Sequence, residues 1–176
     1  MRSGAAAAVF LAAGVASATV IADPSIEHLA ALATAVVRGE VLGSEVVEAR
    51  GSLETLTRVR VAEGLKGALL PGAVVTVRQP GGALGNRRVA VEGAARLADG
   101  EQALLFLQPD GAGRYVLTSL AAAKFSLAGG VAWRDLSNLG VAVSQGRGPL
   151  VVRPAQAEPP TPAPALLARI RRAVSR

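Results

Sequence analysis

Apolar residues recur at helical spacing near each end of the chain and at two-residue spacing almost everywhere between. Over 24–33, Ile26, Leu29, Ala30 and Ala33 fall on one helical face behind Asp23-Pro24, a capping residue followed by the proline that suits a first turn, and Glu27 lies where the helix dipole favours an acid. A short helix is predicted there. From Thr34 the pattern alternates. Its clearest stretch is 53–63, with Leu53, Thr55, Thr57, Val59 and Val61 on one face and Glu54, Leu56, Arg58 and Arg60 on the other. Further strands are predicted over 35–41, 74–78, 87–92 and 101–107, and shorter ones over 114–120, 124–127, 131–134 and 139–143. The turn formers Lys66-Gly67, Pro71-Gly72, Asp99-Gly100 and Asp110-Gly111 stand between them.

Strands this close together, with no helical segment long enough for a crossover, predict an all-β, mainly antiparallel domain over 23–153, a barrel or a sandwich. The alternation stops at Arg153. Residues 154–164 form a proline-rich linker that favours extended backbone. Over 165–176 the helical period returns: at about 100° per residue, Leu166, Leu167, Ile170, Ala173 and Val174 fill one arc, and Arg169, Arg171, Arg172 and Arg176 fall outside it. This is a basic amphipathic helix, too short to stand alone in water. Two surfaces suit it. One is the strand domain itself or a protein partner; the other is an anionic membrane surface reached through the four arginines. Docking on the domain is favoured, because burying branched side chains there needs no second molecule.

The first residues set the expected compartment. Arg2, an apolar run over 5–15 and the small residues Ala16-Ser17-Ala18 and Val20-Ile21-Ala22 make 1–22 a secretory signal peptide. Cleavage after Ala22 is preferred, with a mature start at Thr19 as the alternative. An uncleaved anchor is disfavoured, since 5–21 is short and weakly apolar against the roughly 20 residues a spanning helix needs. With no cysteine in the chain, an exported domain of this size relies on burial in place of disulfides.

Charge excludes one class of partner. Half of the formal +6 lies in the tail, where four arginines face one acid, Glu158, so the strand domain is close to neutral. Binding single-stranded nucleic acid calls for a basic groove with stacking aromatics. Beyond the expected cleavage point the chain has only Phe106, Tyr115, Phe125 and Trp133, and Phe106 reads as core. No nucleic-acid role is expected.

Candidate chemistry is sparse. Gly81-Gly82-Ala83-Leu84-Gly85 opens no helix and is followed by no Gly-Lys-Ser/Thr, so it lacks both phosphate-cradling patterns and reads as a hairpin turn. Arg87 and Arg88, just after it, are the candidate anion-binding pair. His28 is the sole histidine, which leaves no base for a serine nucleophile and no zinc set. Asp99, Asp110 and Asp135 are scattered through turns. No catalytic, metal or cofactor residue is assigned.

The succession Val36-Val37-Arg38-Gly39-Glu40-Val41, Thr57 to Gly67 with Glu63-Gly64-Leu65-Lys66-Gly67, Val75-Thr76-Val77 with Pro80-Gly81-Gly82, and Gly100-Glu101 with Leu104-Leu105-Phe106-Leu107 resembles a group of uncharacterised secreted bacterial proteins. Their strand order is similar to the OB-fold barrel of netrin-like and metalloproteinase-inhibitor domains. The resemblance spans about 34–127. It implies an OB-fold-like barrel with a short N-terminal helix and a C-terminal amphipathic helix. The inhibitors bind their target's zinc through an amino-terminal cysteine, which this chain lacks, so that activity is not implied. The expectation is therefore an exported, non-catalytic binding or scaffolding domain of the cell envelope, with an envelope protein or an anionic surface as partner. The alternative is an extracytoplasmic enzyme or inhibitor acting through the 81–88 loop.

Overall fold

The computed structural model describes residues 19–21, 24–144 and 150–175. Most of the expected signal peptide and Arg176 lie outside them. In chain order the elements are β1 (Thr19–Ile21), α1 (Ile26–Leu32), β2 (Ala35–Ala49), β3 (Ser52–Lys66), β4 (Val74–Pro80), β5 (Gly82–Leu84), β6 (Arg87–Val89), β7 (Gln102–Pro109) and β8 (Tyr115–Leu117). A 3-10 turn at Leu120–Ala123 follows, then β9 (Lys124–Ala128), β10 (Val131–Trp133), β11 (Leu139–Ser144), β12 (Leu150–Pro154), β13 (Thr161–Pro162) and α2 (Ala163–Val174). The chain is mostly β and mainly antiparallel, with one helix near each end, as expected. No helix among the described residues is long and apolar enough to cross a membrane.

Eight strands form one sheet in the order β13-β10-β9-β7-β2-β3-β4-β8, and β8 also pairs with β7. The run β7-β2-β3-β4-β8 thus returns on itself as a ring. Within the ring, β4 and β8 meet in parallel at Val77 and Tyr115, and the other pairs are antiparallel. A second sheet, β1-β11-β12, sets Thr19–Ile21 parallel to Leu139–Val141.

Strands β2 and β7 read as unbroken apolar runs because both their faces are covered. Ala35, Val37, Val41, Ala103, Leu105 and Leu107 point into the ring, where they meet Val59, Val61, Val75 and Val77. Val36, Leu104 and Phe106 point outward into a second core with Ile26, Leu29, Ala30, Phe125, Leu166 and Ile170. The two helices therefore roof one side of the ring. Leu166 and Ile170 are buried, Leu167, Ala173 and Val174 are partly buried against the same cluster, and α2 lies alongside α1. The apolar arc of the tail faces the body of the protein.

Helix α1 starts two residues later than its sequence suggests, and the expected cap, Asp23, lies outside the described residues. Its cap is Ser25, whose hydroxyl accepts from the His28 amide at 3.2 Å, so Pro24 precedes the cap and does not open the helix. At the other end Lys66 Nζ donates to the carbonyls of Ala30 and Ala33, each at 2.7 Å, and satisfies groups that a helix terminus leaves open.

Other boundaries also differ. Strand β2 continues to Ala49 because the hairpin keeps pairing to Ala49 and Ser52, closed by Arg50 and Gly51 at φ 51° and 78°, a turn suited to twisted strands. Strand β6 stops at Val89 and β8 is only three residues long. Strands β1, β5, β12 and β13 were not predicted. The linker is anchored as well: Thr161–Pro162 pairs with β10, and the Ala163 amide donates to Gly130 O at 2.8 Å.

Candidate anion-binding cleft

The Gly81–Arg88 stretch is the β5–β6 hairpin, with Leu84 paired to Arg87 and the turn at Gly85-Asn86. Arg87 Nη1 lies 2.8 Å from Glu48 Oε1, and both groups are about half exposed. Arg88 is exposed. The nearest cavity is lined by Ser44, Thr55, Thr57 and Gln79 along with the hairpin backbone, and neither arginine contributes to it. The hairpin does not gather its two guanidinium groups around a common space.

The tail arginines divide. Arg169 forks onto Glu27 at 2.9 and 2.7 Å, which raises its pKa above the ordinary arginine value. Arg171 donates to Glu63 at 2.6 Å, and that hydrogen bond is the main cause holding the Glu63 carboxyl below its ordinary range. Arg172 reaches a cleft, and no ion pair to it is found among the described residues. Arg176 lies outside the described residues.

That cleft, about 590 Å³, lies between the start of α1, α2 and the linker. Ile26, Phe125, Leu166 and Pro159 make its apolar walls, and Arg134, Arg169 and Arg172 supply its cations. Arg134 is the anchor. Its side chain is only 4% exposed, and its Nη1 donates to the carbonyls of Pro24 at 2.7 Å and Ala122 at 3.0 Å. Its guanidinium lies 4.9 Å from the centre of the Phe125 ring. Its remaining edge, Nε and Nη2, takes the Glu158 carboxylate in a two-point fork, with Nε to Oε2 at 2.7 Å.

A second polar cluster lies on the far side of β9. Lys124 Nζ is 2.5 Å from Glu101 Oε1 and 2.7 Å from Ser126 Oγ, and the Ser126 hydroxyl donates to the same Glu101 oxygen at 2.5 Å. Burial would raise Glu101, but the hydrogen bonds from Lys124, Ser126 and the Ala98 amide, with the Lys124 charge, outweigh it and leave the carboxyl below its ordinary value. The serine proton is directed at a carboxylate that Lys124 also contacts, so the cluster ties β9 to the start of β7.

Sequence reasoning missed Arg134 and Glu158. Arg134 follows an unremarkable short strand, and its partner is a tertiary contact no spacing rule reports. The one available signal was Glu158 itself, the sole acid in a proline-rich basic tail. No family model, no curated protein and no solved structure matches this chain.

Proposed function

We propose that the chain is an exported, non-catalytic binding domain of the cell envelope, built on an OB-type barrel, with its ligand surface at the cleft between α1, α2 and the linker. The ring order β2-β3-β4-β8-β7, with its single parallel pair, supports the OB assignment. On this reading the barrel is similar to those of netrin-like domains. Export rests on the composition of residues 1–22. Cleavage after Ala22 is the preferred point, and the alternative after Ala18 would keep β1 in the mature chain.

The observation that carries the binding reading is the cleft, where three arginines stand over apolar walls. Fractionation with amino-terminal sequencing tests export: a soluble cytoplasmic chain that keeps Met1 defeats it. For binding, the immobilised mature domain is compared with an Arg169→Ala/Arg172→Ala variant for what each retains from an envelope extract. A component kept by the native domain and lost by the variant is expected. Identical profiles place the binding surface elsewhere.

A further inference from the structure

We infer that Arg134 is a carboxylate receptor, that Glu158 fills it from within the chain, and that the cleft takes a small amphipathic carboxylate which displaces Glu158. This rests on the reading of the cleft as a binding surface and names its ligand class and its regulation.

The guanidinium is positioned without Glu158. The carbonyl of Pro24 precedes α1, the carbonyl of Ala122 belongs to the 3-10 turn, and Phe125 lies on β9, so three separate segments fix the group. What they leave over is its Nε/Nη2 edge. A cation so far removed from water requires an anion on that edge, because an unpaired buried charge is strongly destabilising. The edge is therefore always occupied, and only the identity of the occupant can change.

Glu158 is an exchangeable occupant. Its side chain is 41% exposed, against 4% for its partner, and it lies in the stretch 155–160, which has no regular secondary structure. It fills the fork and leaves about 590 Å³ beside it. Exchanging Glu158 for an external carboxylate keeps one negative charge on one buried cation, so the swap conserves charge where desolvation matters most. A phosphate dianion brings a second charge with no second buried cation to meet it. The planar two-point fork also matches a carboxylate. The rest of the ligand follows from the walls: Ile26, Phe125, Leu166 and Pro159 suit an aliphatic body, and Arg172 at the rim adds long-range attraction for the acid.

Octanoate is the probe, with acetate lacking the body and 1-octanol lacking the charge. Calorimetric titration of the full mature chain should show octanoate binding at least about tenfold more tightly than either control, the scale of one charge-assisted fork. Glu158→Gln removes the internal competitor and should tighten octanoate about tenfold, since a site closed by its own carboxylate is only fractionally competent. Arg172→Ala should weaken octanoate in both backgrounds. Hydrogen exchange on the native chain needs no variant: saturating octanoate should speed exchange at the Ala157 and Glu158 amides while the rest of the cleft slows. Equal or weaker octanoate binding by a folded Glu158→Gln chain overturns the internal-carboxylate role, as does slowed exchange at 157–158. Failure of octanoate to bind either chain overturns the ligand class, and the extract comparison above then decides separately whether the cleft binds anything.

Discussion

At Gly82 the chain leaves β4 for the β5–β6 hairpin with φ of 143°, and a side chain there would have its Cβ 2.8 Å from Val46 Cγ1 and 2.9 Å from Thr55 Oγ1. Gly85, at the hairpin turn, has φ of 60° and nothing within 4 Å of where a Cβ would stand. The two glycines therefore predict different costs. Gly85→Ala carries only the left-handed backbone term of about 1–2 kcal/mol, and Gly82→Val adds a clash with two packed strands, for a total above about 3 kcal/mol by chemical denaturation. Equal costs would mean that the hairpin does not rest on β2 and β3. Arg87→Ala with Arg88→Ala should change stability by no more than about 1 kcal/mol, because an exposed pair such as Arg87–Glu48 contributes little. The stretch is legible in sequence as a turn. Which glycine is obligatory is not, because the answer depends on Val46, which only the folded hairpin brings close.

Among elements, the tail helix is the one whose role sequence narrowed without deciding. Its apolar arc was readable from helical spacing; the surface that receives it was not, since that surface is the outward face of β2 and β7 plus α1, assembled from distant segments. Strand β3 was legible for the opposite reason: one face is wet and one dry, so alternation survives in the sequence. Strand β2 beyond Val41 was hidden, because Glu45-Val46-Val47-Glu48 carries mixed polarity on a hairpin arm with no continuous core beneath it. Burial of Ile170, fully enclosed, predicts a cost of about 2–5 kcal/mol for Ile170→Ala, read as a lowered denaturant midpoint. Acid should loosen the same helix. The Arg171 hydrogen bond depresses Glu63 below its ordinary value of 4.5, so the stabilisation is present above that value and is lost as pH falls through the lower folded value. Stability measured from about pH 6 down to about pH 3, across the ordinary carboxylate range, should therefore fall less steeply in Glu63→Gln than in the native chain. Parallel curves would show that the Arg171–Glu63 contact does not hold the helix.

In the whole molecule a small cluster of Ala122, Leu136 and Leu139 lies apart, and the two larger apolar cores have common walls. Strands β2 and β7 give alternate residues to each, so neither the ring interior nor the helix layer can lose its packing while the other keeps its own. One cooperative transition is expected. Tail loosening followed by a probe on α2 and ring unfolding followed by far-ultraviolet dichroism should give one midpoint at pH 7. A separate early transition of α2 would make the roof an appendage. The continuous apolar run at 103–107 fits a strand covered on both sides; the strand that closes the ring, β8, was predicted within 114–120, but its pairing with both β4 and β7 was not legible in the sequence. The cleft is in the same position: its walls come from four segments, and only the tail's composition pointed towards it.

Lys66 and Lys124 are the only lysines in the chain, and the fold engages both. One ammonium closes the end of α1 through two carbonyls, and the other is held between Glu101 and Ser126. Reagents that acylate free amines thus find almost no target on the native surface apart from the chain's own amino terminus. Labelling at Lys66 becomes a clock for the release of α1 and labelling at Lys124 a clock for the opening of β9, so a protein with a single tryptophan carries two chemically addressable reporters of its own unfolding.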